Sequence, residues 1–274
     1  MKNLNIYCLS LKYYKVLDEL PTFIKPLGLG KNSFPDNWLD EKNGKNISNL
    51  NNFFAEATGI YWIWKNELPK MKSDDWVGTC HYRRFWLDSE YKEKQKNSFK
   101  SLYSKLLGLE NKIFINSDAI QVQPITLKNE TLLEQFNKVH DKDNNEILSS
   151  CINFLDKENR ESFRSYLNKN EFSITIFLSK AKIFDEYCRV LFPWLDKCYN
   201  FCKEKKLLKG YNDRLPAFMM ERFASYWIKT HVKNLQYLSY ARIGDLMLSN
   251  QINNFFNPMK FPATFRMYPT RHNF

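Results

Sequence analysis

The period of the apolar positions changes several times along the chain, and each change predicts an element. Across residues 49–68, Phe53, Ala57, Ile60 and Trp64 recur at spacings of four, three and four, while Phe54, Tyr61 and Leu68 widen the same stripe. That spacing predicts an amphipathic helix with one buried face. Ser48 or Asn49 can cap its start, Lys65 suits its carbonyl end, and Pro69 stops it. A short, partly β-branched run, Trp76-Val77-Gly78-Thr79-Cys80, follows the polar Ser73-Asp74-Asp75 turn and predicts a strand inside a sheet.

The same reading gives a first strand over residues 4–9, a helix over 11–24 ending before Pro26, and a long loop over 26–44 rich in Gly, Pro, Asn and Asp. Strands are predicted at 112–115 and 119–122, on either side of Asn116-Ser117-Asp118. A helix begins after Thr131, another spans 147–167, and a buried strand covers 172–178. Residues 181–201 read as a helix kinked at Pro193, and a last helix carries Glu221 near its start and runs through Trp227. The charged run 90–100 reads as an exposed helix or insertion. Strands alternating with helices predict an α/β domain.

Composition narrows the function classes. With 274 residues, of which 43% are hydrophobic and 16% aromatic, the chain can fill the core of one large α/β domain or two small ones. No run of about 18 apolar residues and no signal-peptide layout is present, so a cytoplasmic protein is expected. Cys8, Cys80, Cys151, Cys188, Cys198 and Cys202 are scattered, with no second ligand pair beside Cys198 and Cys202, and read as reduced thiols rather than a zinc site. The net charge of +11 attracts phosphates. Nucleic acid is disfavoured because no recognition module is visible. Lysine-rich segments such as 203–209 suit either the anionic inner leaflet or a solvated surface.

The chemistry concentrates at His81-Tyr82-Arg83-Arg84, at the end of the predicted strand. In open α/β sheets ligands sit outside the carboxyl ends of strands, and guanidiniums offer forked, permanently charged donors to phosphate oxygens. A basic strand end paired with nearby carboxylates accounts for the same residues. Asp141 and Asp143 form an Asp-x-Asp pair, but among Lys and Asn at a helix end rather than after a core strand. His140 beside them is a further candidate for supporting or touching substrate.

Asn51, Glu56-Ala57-Thr58 and Tyr61-Trp62-Ile63-Trp64-Lys65-Asn66, followed by Gly78-Thr79-Cys80-His81-Tyr82-Arg83-Arg84, closely resemble a bacterial family first catalogued as a domain of unknown function. That family occurs among capsule and O-antigen glycosyltransferases, galactofuranosyltransferases included. The resemblance implies a GT-A-like nucleotide-diphospho-sugar transferase fold, with a central, mostly parallel sheet flanked by helices. It implies one glycosyltransferase domain over 1–274, with the donor-binding part at about 1–125 and the acceptor and catalytic part at about 126–274. His81, Arg83 and Arg84 would hold the donor diphosphate, and Asn51, Glu56, Thr58 and Asp118 would support the site or touch substrate. Arg214-Leu215-Pro216-Ala217-Phe218 and Glu221-Arg222-Phe223 resemble a further family segment, with Ala217 where glycine is usual. There Glu221 would be the catalytic base and Arg214 a supporting residue, although an ion pair with Arg214 or Arg222 accounts for Glu221 equally well.

The resemblance implies transfer of a hexose such as galactofuranose from a UDP-linked donor to a capsule or lipopolysaccharide glycan or a lipid-linked glycan, with inversion. Fixed guanidiniums can take the place of a metal at the leaving diphosphate, so no cofactor is expected, with Mg²⁺ or Mn²⁺ left open. A non-catalytic nucleotide- or polyanion-binding protein is the alternative.

Overall fold

The strand Leu4–Ser10 (β1) is apolar at almost every position because both of its faces are covered. Tyr7 and Leu9 point into one core with Phe54, Ile60 and Phe184, whereas Ile6 and Cys8 point into a second with Val16, Trp86 and Leu107. The computed structural model describes residues 3–88, 95–97, 102–243 and 253–255. Within it, β1 lies between Ile24–Gly28 (β2) and Trp76–His81 (β4), both parallel to it, and Leu39–Asp40 (β3) extends the sheet beyond β2. Arg84–Trp86 (β5) folds back antiparallel on the end of β4 and pairs with Tyr240–Arg242 (β12). Beyond β4 come Phe177–Lys180 (β10), Ala119–Val122 (β7) and Leu235–Leu238 (β11). Two separate ribbons pair Ile125–Thr126 (β8) with Glu171–Phe172 (β9), and Gln95–Asn97 (β6) with Asn253–Phe255 (β13). The main path is β11-β7-β10-β4-β1-β2-β3, parallel at every step except on the two sides of β10. This is the expected mostly parallel sheet flanked by helices.

Helices cover the sheet. Asn51–Phe54 (α1) and Ala57–Trp62 (α2) pack on one face with Ala181–Glu204 (α6) and Leu215–His231 (α7). Leu132–His140 (α3), capped by the reciprocal Thr131 and Glu134 bonds, joins Ile147–Ile152 (α4) and Lys157–Leu167 (α5) beside them. The six cysteines are all free and buried, consistent with reduced core thiols.

Several elements differ from expectation for identifiable reasons. Residues 11–24 form only a short 3₁₀ turn, Lys15–Glu19, and the supposed loop after it contributes β2 and β3 to the sheet. The strand expected at 112–115 is a 3₁₀ turn, Lys112–Phe114, because the Asn111 side chain accepts from the Ile113 amide at 2.8 Å, leaving Ile115 71% exposed. The helix over 147–167 is two helices, since Asp156 caps the second through the Asn159 amide. The strand over 172–178 is divided between β9 and β10, with Ser173 tied to Ser225 and Val122 in between. Most of the charged run 90–100 and all of the basic, aromatic tail 265–274 lie outside the described residues.

The aromatic helix is also broken. Ala55 adopts φ 47° and ψ −127°, a conformation that L residues avoid and glycine accepts. The break is held by its own bonds: the Asn51 amide and the Thr58 hydroxyl both donate to the Ala55 carbonyl, at 3.1 and 3.0 Å. Strain of this kind typically stores about 1–3 kcal/mol. Ala55→Gly is therefore expected to raise stability by about 1 kcal/mol in urea unfolding after the entropy of a more flexible denatured chain is offset. A loss of stability in this variant would show that the turn is unstrained.

Candidate active site

The carboxyl end of β4 leaves the sheet at His81, where Tyr82 and Arg83 make a two-residue turn into β5 and His81 pairs with Arg84. The Tyr82 amide still donates to the Leu9 carbonyl at 3.1 Å, so the turn is fixed to β1. Its ring stacks on Tyr14 at 5.3 Å, and the Arg83 guanidinium lies 5.0 Å from that ring. From the other half of the chain, β12 sets Arg242 directly opposite Arg84, and the Ile243 amide ties to the Arg83 carbonyl at 3.0 Å.

The result is a concentration of like charge. Burial holds the His81 imidazole well below its usual range, and Arg84, Arg83 and Arg214 push it further the same way. Burial likewise lowers Arg242, followed by the field of Arg84. Like charges directly opposite on paired strands are destabilising. Arg84 and Arg214 form no ion pair among the described residues. Such a cluster, at the end of the sheet where ligands bind, is chemically suited to a polyanion.

A carboxylate wall faces it. Glu221 sits in the second turn of α7 rather than at its opening, with its side chain 34% exposed. Its pKa is raised by desolvation; Arg222 opposes this, Glu56 adds to it, and Arg84 and Arg214 oppose it again. The ion pair foreseen for Glu221 is present, with Arg222 Nη1 3.2 Å from Oε2. Arg222 is 1% exposed and held from behind by the Phe218 carbonyl at 2.9 Å and by the Gln135 side chain, between the rings of Phe136 and Phe172. It fixes the carboxylate while lying too deep to reach a ligand. Glu56 follows the strained Ala55 and accepts from the Thr175 hydroxyl.

The remaining candidates divide. Asn51 and Thr58 bond each other at 2.8 Å and clamp the Ala55 carbonyl, so they shape the turn that aims Glu56. Arg214, just before α7, belongs to the cluster through its field on His81 and Glu221. His140 stacks on Phe218 at 4.0 Å, behind Glu221, and burial followed by Arg222 pushes its pKa down to about 3. Asp118 is not part of the site. It precedes β7, which runs in the same direction as β4, and so lies at the amino end of the sheet. There it binds Lys180 Nζ at 2.5 Å and Asn234 Nδ2 at 2.7 Å as a structural ion pair. Asp141 uses its carboxylate to accept the Asn145 and Ile147 amides, and no group of three His, Cys, Asp or Glu side chains suited to a metal occurs among the described residues.

Two residues escaped the sequence reading. Arg242 had a weak signal in the Tyr240-Ala241-Arg242-Ile243 alternation, but only the β5–β12 pairing brings it to Arg84. Glu41 is fully buried, accepts from the Gly30 amide at 2.6 Å and is raised in pKa by burial. A buried glutamate gives no local sign of its position.

Among solved structures, the one titled WbbM bifunctional glycosyltransferase, apo structure, superimposes with a TM-score of 0.71 at 22% identity. The match covers 89% of this chain and 46% of that one, so the chain spans about half the length of its neighbour. The likeness establishes a GT-A-like α/β fold. No curated protein matches. The sequence profile of one family matches residues 5–233, including every residue of the cluster except Arg242. The chain belongs to that family, described as Domain of unknown function (DUF4422).

Proposed function

We propose that the chain is a glycosyltransferase that moves a hexosyl unit from a UDP-linked donor to a growing capsule or lipopolysaccharide glycan, with inversion. The observation that carries this reading is the facing of Arg84 by Arg242 beside His81 and Arg83, across from Glu221. A fold shared with part of a bifunctional glycosyltransferase supports it. Galactofuranose is one candidate for the transferred sugar, suggested by the sequence resemblance alone.

In this reading Glu221 takes the proton of an acceptor hydroxyl as the oxygen attacks the anomeric carbon. The bond from that carbon to the diphosphate breaks, and the diphosphate leaves with the electron pair. Positive character on the sugar and negative charge on the leaving group then lie toward the carboxylate and the guanidiniums respectively. The arginines supply the neutralisation that a divalent metal supplies elsewhere, which makes the reaction metal-independent. Donor contacts come mainly from residues 1–125 and the base from 126–274, although Arg242 reaches the donor side from the later half. No helix among the described residues is long and apolar enough to cross a membrane. The lysines of segment 203–209 suit contact with an anionic leaflet carrying a lipid-linked acceptor.

Two outcomes check the reading. Calorimetry with UDP in the presence of EDTA should show binding that Arg84→Ala or Arg83→Ala weakens by at least about tenfold, the scale of a lost charge-assisted contact. Undiminished binding in both variants would end the diphosphate assignment, and a requirement for Mn²⁺ would end metal independence. The second concerns pH. A base must be ionised, and Glu221 is raised above its usual 4.5, so kcat/KM should fall as pH drops through a limb lying above 4.5. Glu221→Gln should lower kcat by roughly 10²–10⁴ and abolish the limb while leaving UDP binding intact. A limb unchanged in that variant would remove Glu221 from the chemistry, and a wild-type chain that releases no UDP from any donor is a binding protein.

A further inference from the structure

A cavity of about 450 Å³ opens beside the carboxylate wall, between the end of α3 and the segment after α6. His140, Ile147, Lys206, Lys209, Tyr211 and Asn212 are among the residues that line it. Its volume falls in the range of small-ligand sites. Tyr211 is 46% exposed, unusual for so large an aromatic side chain. It is nevertheless held rigid from behind, with its ring 5.0 Å from Phe218 and 5.8 Å from His140 at an interplanar angle of 14°.

His140 gives the second observation. The residue is 4% exposed, its ring is stacked on Phe218 and tilted against Phe136, and its Nδ1 is buried with no hydrogen-bond partner among the described residues. A buried nitrogen without a partner is costly, and this one belongs to a side chain in the cavity wall. The Asn212 side chain donates to the His140 carbonyl at 2.9 Å, which ties two residues of the cavity wall together.

The cavity is continuous with the proposed chemistry through one residue. Tyr211 packs on Phe218, one turn before Glu221 on α7, so the ring that walls the cavity stands beside the turn that carries the base. A rigid, half-exposed ring with hydrogen-bonding groups around it matches the chemistry of a sugar, which has an apolar C–H face and a rim of hydroxyls. Lys142, Lys206 and Lys209 in the lining are donors only and Asp143 is an acceptor, and together they complement the hydroxyls of a sugar.

We propose that this cavity is the acceptor-glycan subsite. The terminal acceptor sugar lies with its C–H face on Tyr211 and its attacking hydroxyl toward Glu221, and the next sugar of the acceptor fills the cavity against His140 and Asn212. The assignment rests on the glycosyltransferase reading, because without transfer there is no acceptor. Tyr211 acts here as a positioning and specificity residue.

The test uses the full chain, the donor giving the largest thermal shift, and a panel of octyl mono- and disaccharide glycosides as acceptors. For the glycoside elongated best, Tyr211→Ala should raise the acceptor KM at least tenfold while the donor KM changes less than twofold. Tyr211→Phe and Tyr211→Trp should restore it, since the ring face and not the hydroxyl makes the contact. A disaccharide should have a lower KM than the matching monosaccharide, and His140→Phe, which keeps the stack and removes the nitrogen, should erase that difference. An unchanged acceptor KM in Tyr211→Ala, equal loss in the donor and acceptor constants, or failure of Tyr211→Phe to restore binding overturns the subsite. So does a wild-type chain that releases UDP from its donor yet elongates no glycoside in the panel. Absence of UDP release in the wild type falls instead on the transferase reading itself.

Discussion

Arg84 and Arg242 face each other across an antiparallel strand pair, and two guanidiniums so placed repel. The protein sustains that repulsion beside a half-buried His81 and with Arg83 and Arg214 in range. What holds the charges together is the sheet. β4 is anchored by β1 on one side and β10 on the other, β5 is tied to β4 by a two-residue turn, and β12 is tied to β5. Gly78 lets β10 approach β4, since a β-carbon there would lie 2.1 Å from the Phe177 carbonyl oxygen. Backbone pairing therefore brings like charges together at the end of the sheet.

The facing wall is built by the opposite device, attraction in a buried setting. Arg222 is inside, bonded to Gln135 and the Phe218 carbonyl and flanked by aromatic rings, and it fixes Glu221 from below. A guanidinium in that position orients the carboxylate without competing for the solvent side. Glu56 arrives by a strained backbone turn whose carbonyl is clamped by Asn51 and Thr58. The two halves of the site are rigid for different reasons, one by strand pairing and one by a buried cation and a locked turn.

The sequence discloses the parts of this arrangement that are encoded locally. β1 and β4 are legible because strands covered on both faces read as continuous apolar runs, and the cations at the end of β4 follow directly from that strand. The break at Ala55 is hidden, because alanine belongs in a helix and neither glycine nor proline marks the turn. Arg242 is hidden because its place depends on pairing between strands far apart in the chain. Asp118 shows the limit of a local rule: a carboxylate beside a short strand looks like a site residue until strand direction is known, and β7 carries it to the wrong end of the sheet. The expected helix over 11–24 fails similarly, since two adjacent apolar residues, Val16 and Leu17, satisfy the core from one short turn.

The central claim is that the strand-end arginines hold a nucleotide diphosphate, and a crystal structure of the chain with UDP tests it most directly. The account predicts diphosphate oxygens at about 3 Å from guanidinium nitrogens of both Arg84 and Arg242, with Glu221 across the cleft and free of the phosphates. UDP bound elsewhere, with Arg84 and Arg242 touching only protein, would contradict it.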